Sequence, residues 1–92
     1  MTSPSTLSLG DARVGFRGRI AALDVGRVSG ALPGPELERR LIELGFIEGA
    51  EVELLHEGLF GRDPIAVRVS ETTVALRRRE ARAVLVALEL PK

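Results

Sequence analysis

His56 is the only histidine in the chain, so any histidine-dependent chemistry must run through it. Nucleophilic catalysis would pair it with a hydroxyl such as Ser70, which lies beside a turn on a different strand pattern. No spacing ties the two into a triad, which needs a base, a nucleophile and an orienting group held together. His56 and Glu57 are adjacent, so on a strand they point to opposite faces and cannot ligate one ion together. Cysteine is absent, which excludes disulfides, thiolate metal sites and cysteine nucleophiles. A transition-metal site would then rest on carboxylates or on ligands shared between chains. The glycine-flanked segment from Gly45 to Gly49 follows a helix pattern instead of preceding one, and no Gly-Lys-Ser/Thr follows it. It reads as a helix cap and turn, not as a phosphate loop. No catalytic residue, cofactor-binding residue or metal ligand is assigned, and the chain is not expected to be an enzyme.

The strongest local charge feature is the run Arg77, Arg78, Arg79, with Arg82 close behind. It has three readings: a solvated turn, a contact patch for an acidic partner surface, or a grip on phosphates. No aromatic residue is interleaved to stack bases, which weakens the third reading. Arg77, Arg78 and Arg79, with Arg62 and Asp63 in the turn from Gly61 to Pro64, are the candidate partner-binding residues.

These residues need a scaffold, and apolar periodicity supplies one. Residues 7–12 could form a turn or one helical turn. Val14, Phe16, Ile20 and Ala22 share a face of an extended run over 14–25, with Gly15 and Gly18 as places for a bulge or bend. Residues 26–34 are rich in turn formers. Pro35 suits a first helical position, Leu37, Leu41 and Leu44 form one apolar stripe, and Gly45 is placed to end the helix in a left-handed cap. A helix is therefore expected at about 35–44, with Glu36 and Arg40 as an i,i+4 pair. Val52 and Leu54 alternate with Glu51 and Glu53 in a strand over 51–60. Ile65, Val67 and Val69 alternate in the next, and Val74 and Leu76 share a face in another. Arg77 to Arg82 could make one helical turn. Val84, Val86, Leu88 and Leu90 form the apolar side of a last strand. Five short strands around one helix make a mainly β (α+β) fold, a small, partly open barrel.

The 92 residues suffice for one domain. Residues 1–6 are expected to be a flexible lead and 7–92 the domain. Thirteen basic and thirteen acidic residues cancel, so no overall field steers the chain toward nucleic acid. No apolar run approaches the roughly 20 residues of a membrane-spanning helix. Residues 1–6 lack the basic and apolar regions of a secretory signal, so a cytoplasmic location is expected.

The order of these patterns carries a resemblance. Leu41-Ile42-Glu43-Leu44-Gly45-Phe46-Ile47-Glu48-Gly49-Ala50-Glu51-Val52 resembles the helix-to-strand signature of the FeoA family. Asp63-Pro64-Ile65 with Val67 and Val69 is similar to that family's next turn and strand. Val74-Ala75-Leu76-Arg77-Arg78, Glu80-Ala81 and Val84-Leu85-Val86 are similar to its closing segment. With Gly15 to Ile20, these blocks cover most of the chain. Glu48 departs from the proline the family often has there, and the loop from Gly26 to Pro35 is variable in appearance.

The resemblance implies an SH3-like barrel with a helix inserted after the first strand. It implies a small cytosolic accessory protein of bacterial ferrous iron uptake, without catalytic residues or a cofactor, whose association with iron is weak or indirect. The implied partner is a FeoB-type membrane transporter with a cytosolic G-domain, which would hold the protein at the inner membrane. The same barrel forms the C-terminal domain of iron-dependent repressors of the diphtheria toxin repressor type, which also carry a winged-helix DNA reader. Two other functions stay open, a nucleic-acid-binding small barrel and a direct metal sensor, and exposed barrel edges leave a homo-oligomer open.

Overall fold

The computed structural model describes residues 6–27 and 34–88. Six antiparallel strands form one sheet: β1 (Thr6–Ser8), β2 (Arg17–Leu23), β3 (Glu51–Phe60), β4 (Asp63–Val69), β5 (Thr72–Leu76) and β6 (Val84–Leu88). Their spatial order is β1-β6-β2-β3-β4-β5. The chain thus runs a meander from β2 to β5, then returns through β6 to the far side of β2. β1 and β5 remain as edges, so the barrel is partly open. Helix α1 (Gly34–Glu43) lies between β2 and β3, and a single helical turn, α2 (Arg78–Ala81), links β5 to β6.

The expected strands are present, with two shifts at the N-terminal end. β2 begins at Arg17 rather than near Val14, whose side chain is exposed. Its bend falls between Ile20 and Ala22, where the register with β6 slips. Residues 7–12 hold both a short strand and a helical turn. Thr6, expected in the flexible lead, opens β1 and pairs with Ala87. The turn at Leu9–Asp11 is capped by Ser8, whose Oγ accepts from the Gly10 N–H at 3.2 Å and donates to the Arg82 carbonyl at 3.0 Å. The loop expected over 26–34 falls largely on residues 28–33, outside the described residues, and so does Leu90 at the end of the last strand.

Helix α1 follows its stripe. Leu37 and Leu41 are buried. Its end forms a Schellman cap: Gly45 at φ 107° donates to the Ile42 carbonyl, and Phe46 donates to that of Leu41. Leu41 and Phe46 are both fully buried, which is the apolar contact that accompanies this cap. The expected Glu36–Arg40 pair gives way to a longer-range one, in which Arg40 reaches Glu80 of the α2 turn at 3.5 Å. The core itself is aliphatic. Ile20, Val52, Leu54, Ile65, Val67, Val69, Leu76, Val84 and Val86 fill the concave side of the sheet, with α1 and Phe46 across it.

Candidate functional site

β3 decides what stands at one end of the barrel. Val52 and Leu54 point to the core, and strict alternation would send His56 there next. The register with β4 shifts between Leu54 and His56. A bulge of this kind adds one residue and reverses the sidedness that follows. His56 then stands opposite Ala66, on the outer face, and is exposed. Glu57 stands opposite the buried Ile65, on the inner face. Ser70 lies four residues beyond Ala66 along β4, roughly 13 Å away at strand rise, so it and His56 form no unit.

Glu57 meets Arg78. The Arg78 Nη2 donates to Glu57 Oε1 at 2.6 Å, and Nη1 donates to the carbonyls of Gly10 at 3.0 Å and Ala12 at 2.8 Å. Nε donates to the Arg62 carbonyl at 2.9 Å. The Arg78 backbone N–H donates to Asp63 Oδ1 at 2.7 Å. One guanidinium thus ties the N-terminal turn, β3, the β3–β4 turn and α2 together. Arg78 is 7% exposed, and a buried charge is tolerated when paired and hydrogen-bonded on every side.

Arg78 was expected as an exposed partner contact; it is a buried internal tie. The reason is helical. On α2, Arg78 and Ala81 are three apart and face inward together, while Arg77, Arg79 and Arg82 face outward and are exposed. The Arg62 Nε reaches Glu57 Oε1 at 3.2 Å. That bond, and behind it the one from Arg78, hold the Glu57 carboxyl below its usual pKa, against the opposing effect of partial burial. Asp63 is half-buried and occupied by the Arg78 N–H. Of the five candidate partner contacts, Arg77 and Arg79 retain free outward positions. Among the described residues no carboxylate forms an ion pair with either guanidinium, though the Arg77 backbone N–H donates to Glu80 Oε1 at 3.2 Å.

Two apolar surfaces escaped the reading of the sequence. The first is a groove of about 380 Å³ beside α1, lined by Ala22, Leu23, Glu38, Ile42, Phe46, Ile47 and Glu48. Ile42 and Ile47 are about half exposed there. Ile42 follows the buried Leu41 and so lies off the core stripe; an apolar residue beside an amphipathic stripe was the available signal. The second is the tip of the β3–β4 hairpin, where Leu59 and Phe60 are 95% and 90% exposed. Alternation suggested a strand through these residues but could not show that the hairpin outruns the barrel.

No group of three or more metal-ligating side chains forms among the described residues, and no described helix is long and apolar enough to cross a membrane.

Residues 7–88 match the FeoA domain. The chain belongs to the FeoA family. Its fold is close to that of a Stenotrophomonas maltophilia FeoA solved with zinc, at 31% identity and a TM-score of 0.70, over 87% of this chain and 88% of that one. That protein is described as a procaryotic SH3 domain protein and put forward as a ferrous iron transport activating factor. Iron(II) transport protein A from Clostridium thermocellum is 30% identical, with a TM-score of 0.71, over 89% of this chain and 45% of that one. A manganese-dependent transcriptional repressor matches at 25% identity and a TM-score of 0.73, over 97% of this chain and 45% of its own length. This FeoA chain therefore spans less than half of the repressor. No curated protein matches the chain at a comparable level of significance. The SH3-like architecture and the FeoA resemblance expected from the sequence are both borne out.

Proposed function

We propose that this FeoA protein is a non-enzymatic accessory module of ferrous iron uptake that docks on the cytosolic part of a FeoB-type transporter. The match over residues 7–88 carries the reading. The groove beside α1 supports it: Ile42 and Ile47 are displayed on an apolar floor at the edge of the well-packed core, and a concave apolar patch with a charged rim (Glu38, Glu48) suits an anchor side chain of a partner. Iron enters as the transporter's cargo, and the module acts on the protein that carries it. Docking shifts the transporter between states only by binding one of them more tightly. Arg77 and Arg79 remain as exposed polar contacts on the α2 turn.

The test is retention of the transporter on the tagged chain from detergent-solubilised membranes of its own host. The expected result is co-purification that I42D/I47D abolishes. No retention by the unaltered chain, or retention indifferent to I42D/I47D, overturns the reading. A nucleic-acid role would instead give a salt-dependent gel shift at low ionic strength.

A further inference from the structure

The hairpin tip is built to protrude. Phe60 and Asp63 pair across a two-residue turn, Gly61–Arg62, with φ 67° and 62°. Two positive φ values are the mark of the tight turn that matches strand twist. Gly58 lets the strands close behind the tip, since a Cβ there would stand 1.7 Å from the Asp63 carbonyl oxygen. The Arg62–Glu57 bond straps the turn back onto β3. Ahead of this braced neck stand Leu59 and Phe60, almost wholly exposed. They are adjacent at the end of the ribbon, beside the register irregularity between Glu57 and Phe60, and each stands clear of the barrel over almost its whole surface. A flat partner face would cover only part of that area. A fluid interface surrounds both.

Charge at this end fits the same medium. Residues 57–63 and 77–82 carry five arginines against three carboxylates, with Asp11 beside Arg82 as a fourth, in a chain whose total charge is zero. Glu57 is paired with Arg62 and Arg78, and Asp63 accepts from the Arg78 backbone N–H. The Arg78–Asp63 bond sets the start of α2 against the base of the hairpin, so Arg77 and Arg79 flank the neck with their guanidinium groups outward. Basic residues near an anionic headgroup layer draw a protein to it, and aromatic and leucine side chains enter the layer below.

We infer that the β3–β4 tip is a membrane-surface anchor, with Leu59 and Phe60 entering the interface of an anionic bilayer and Arg77 and Arg79 resting on its headgroups. The anchor is weak and reversible, because two side chains and two charges bury far less than a lipid chain does. It orients the barrel at the bilayer independently of any transporter.

The chain contains no tryptophan or tyrosine, so F60W places the sole indole at the tip. Purified F60W is titrated with protein-free vesicles of phosphatidylcholine alone and of phosphatidylcholine with phosphatidylglycerol, at low salt. A blue shift and quenching by brominated acyl chains are expected with the anionic vesicles. Co-sedimentation of the unaltered chain should fall at least about tenfold in L59S/F60S, from the apolar area withdrawn. It should fall by about twentyfold or more in R77E/R79E, at about fivefold per charge neutralised. Circular dichroism checks that each variant is folded. An indole that stays in water with every vesicle, or sedimentation indifferent to L59S/F60S, overturns the inference. An indole that shifts only when transporter is present assigns the tip to a protein and overturns it equally. The vesicles hold no transporter, so this result is independent of the co-purification above.

Discussion

Arg78 and Phe60 sit at the same end of the barrel with their environments inverted. The arginine is 7% exposed and the phenylalanine 90%. Around Arg78, four acceptors on three separate stretches of chain converge on one guanidinium. Around Phe60 and Leu59 nothing converges. A charge inside the protein is stable only when its partners are complete, and here they are complete, so Arg78 belongs to the scaffold. An apolar pair outside gains nothing for the fold, so its reason lies in what it meets. The contrast separates residues that hold the structure from residues available for contact, and it does so against the usual rule of polarity.

The sharpest break of this contrast is R78M. It removes a buried guanidinium and leaves the carbonyls of Gly10, Ala12 and Arg62 without their donor. Loss of about 3 kcal/mol is expected in urea unfolding, from the acceptors left unpaired. R77M and R79M, changed in the same way one residue to either side, should shift stability by no more than about 0.5 kcal/mol. Equal losses for all three would erase the distinction within the run.

G58A comes next. Its methyl cannot fit against the Asp63 carbonyl without moving one strand, and about 2 kcal/mol of destabilisation is expected, the scale of overpacking. The change disturbs the neck that links the tip to the Arg78 tie. Thermal melts read it directly.

Acid tests the tie more gently. The folded Glu57 carboxyl lies below its ordinary value of 4.5, so the folded protein binds fewer protons there than the unfolded chain. Its stabilising contribution is whole above about pH 4.5 and is lost as pH falls through the lowered folded value. Denaturant midpoints measured from pH 6 to pH 3 should fall, and E57Q should flatten part of that fall. The smallest effect belongs to L59S/F60S, where stability should stay within about 0.5 kcal/mol of the parent. A large loss there would mean that the tip packs against something in the folded chain.

Much of this fold is legible in the sequence, because alternation and the helical stripe are local patterns. The helix expected at about 35–44, its left-handed cap at Gly45 and the inward sets Val52–Leu54, Ile65–Val67–Val69 and Val74–Leu76 all follow from spacing of two or three to four. What is not legible depends on long-range events. The bulge after Leu54 exchanges the roles of His56 and Glu57, and nothing in either residue type announces it. The burial of Arg78 needs carbonyls 66 and 68 residues earlier in the chain. One local clue existed: Ala81 stands one helical turn from Arg78, and a small residue on a short turn marks its inner face. The three-residue β1 was too short to show a period. The groove at Ile42 and Ile47 became visible only once the cap at Gly45 had folded Phe46 inward.

On the proposed function, the exposed apolar surfaces of this chain, above all the α1 groove, do its work while the buried charge keeps its shape. Ferrous iron uptake by a host lacking the native gene, complemented with I42D/I47D, tests it most directly, with the melting temperature of the purified variant measured alongside. Uptake at the level of the deletion is expected, with a melting temperature close to that of the parent. Full uptake by I42D/I47D would contradict it.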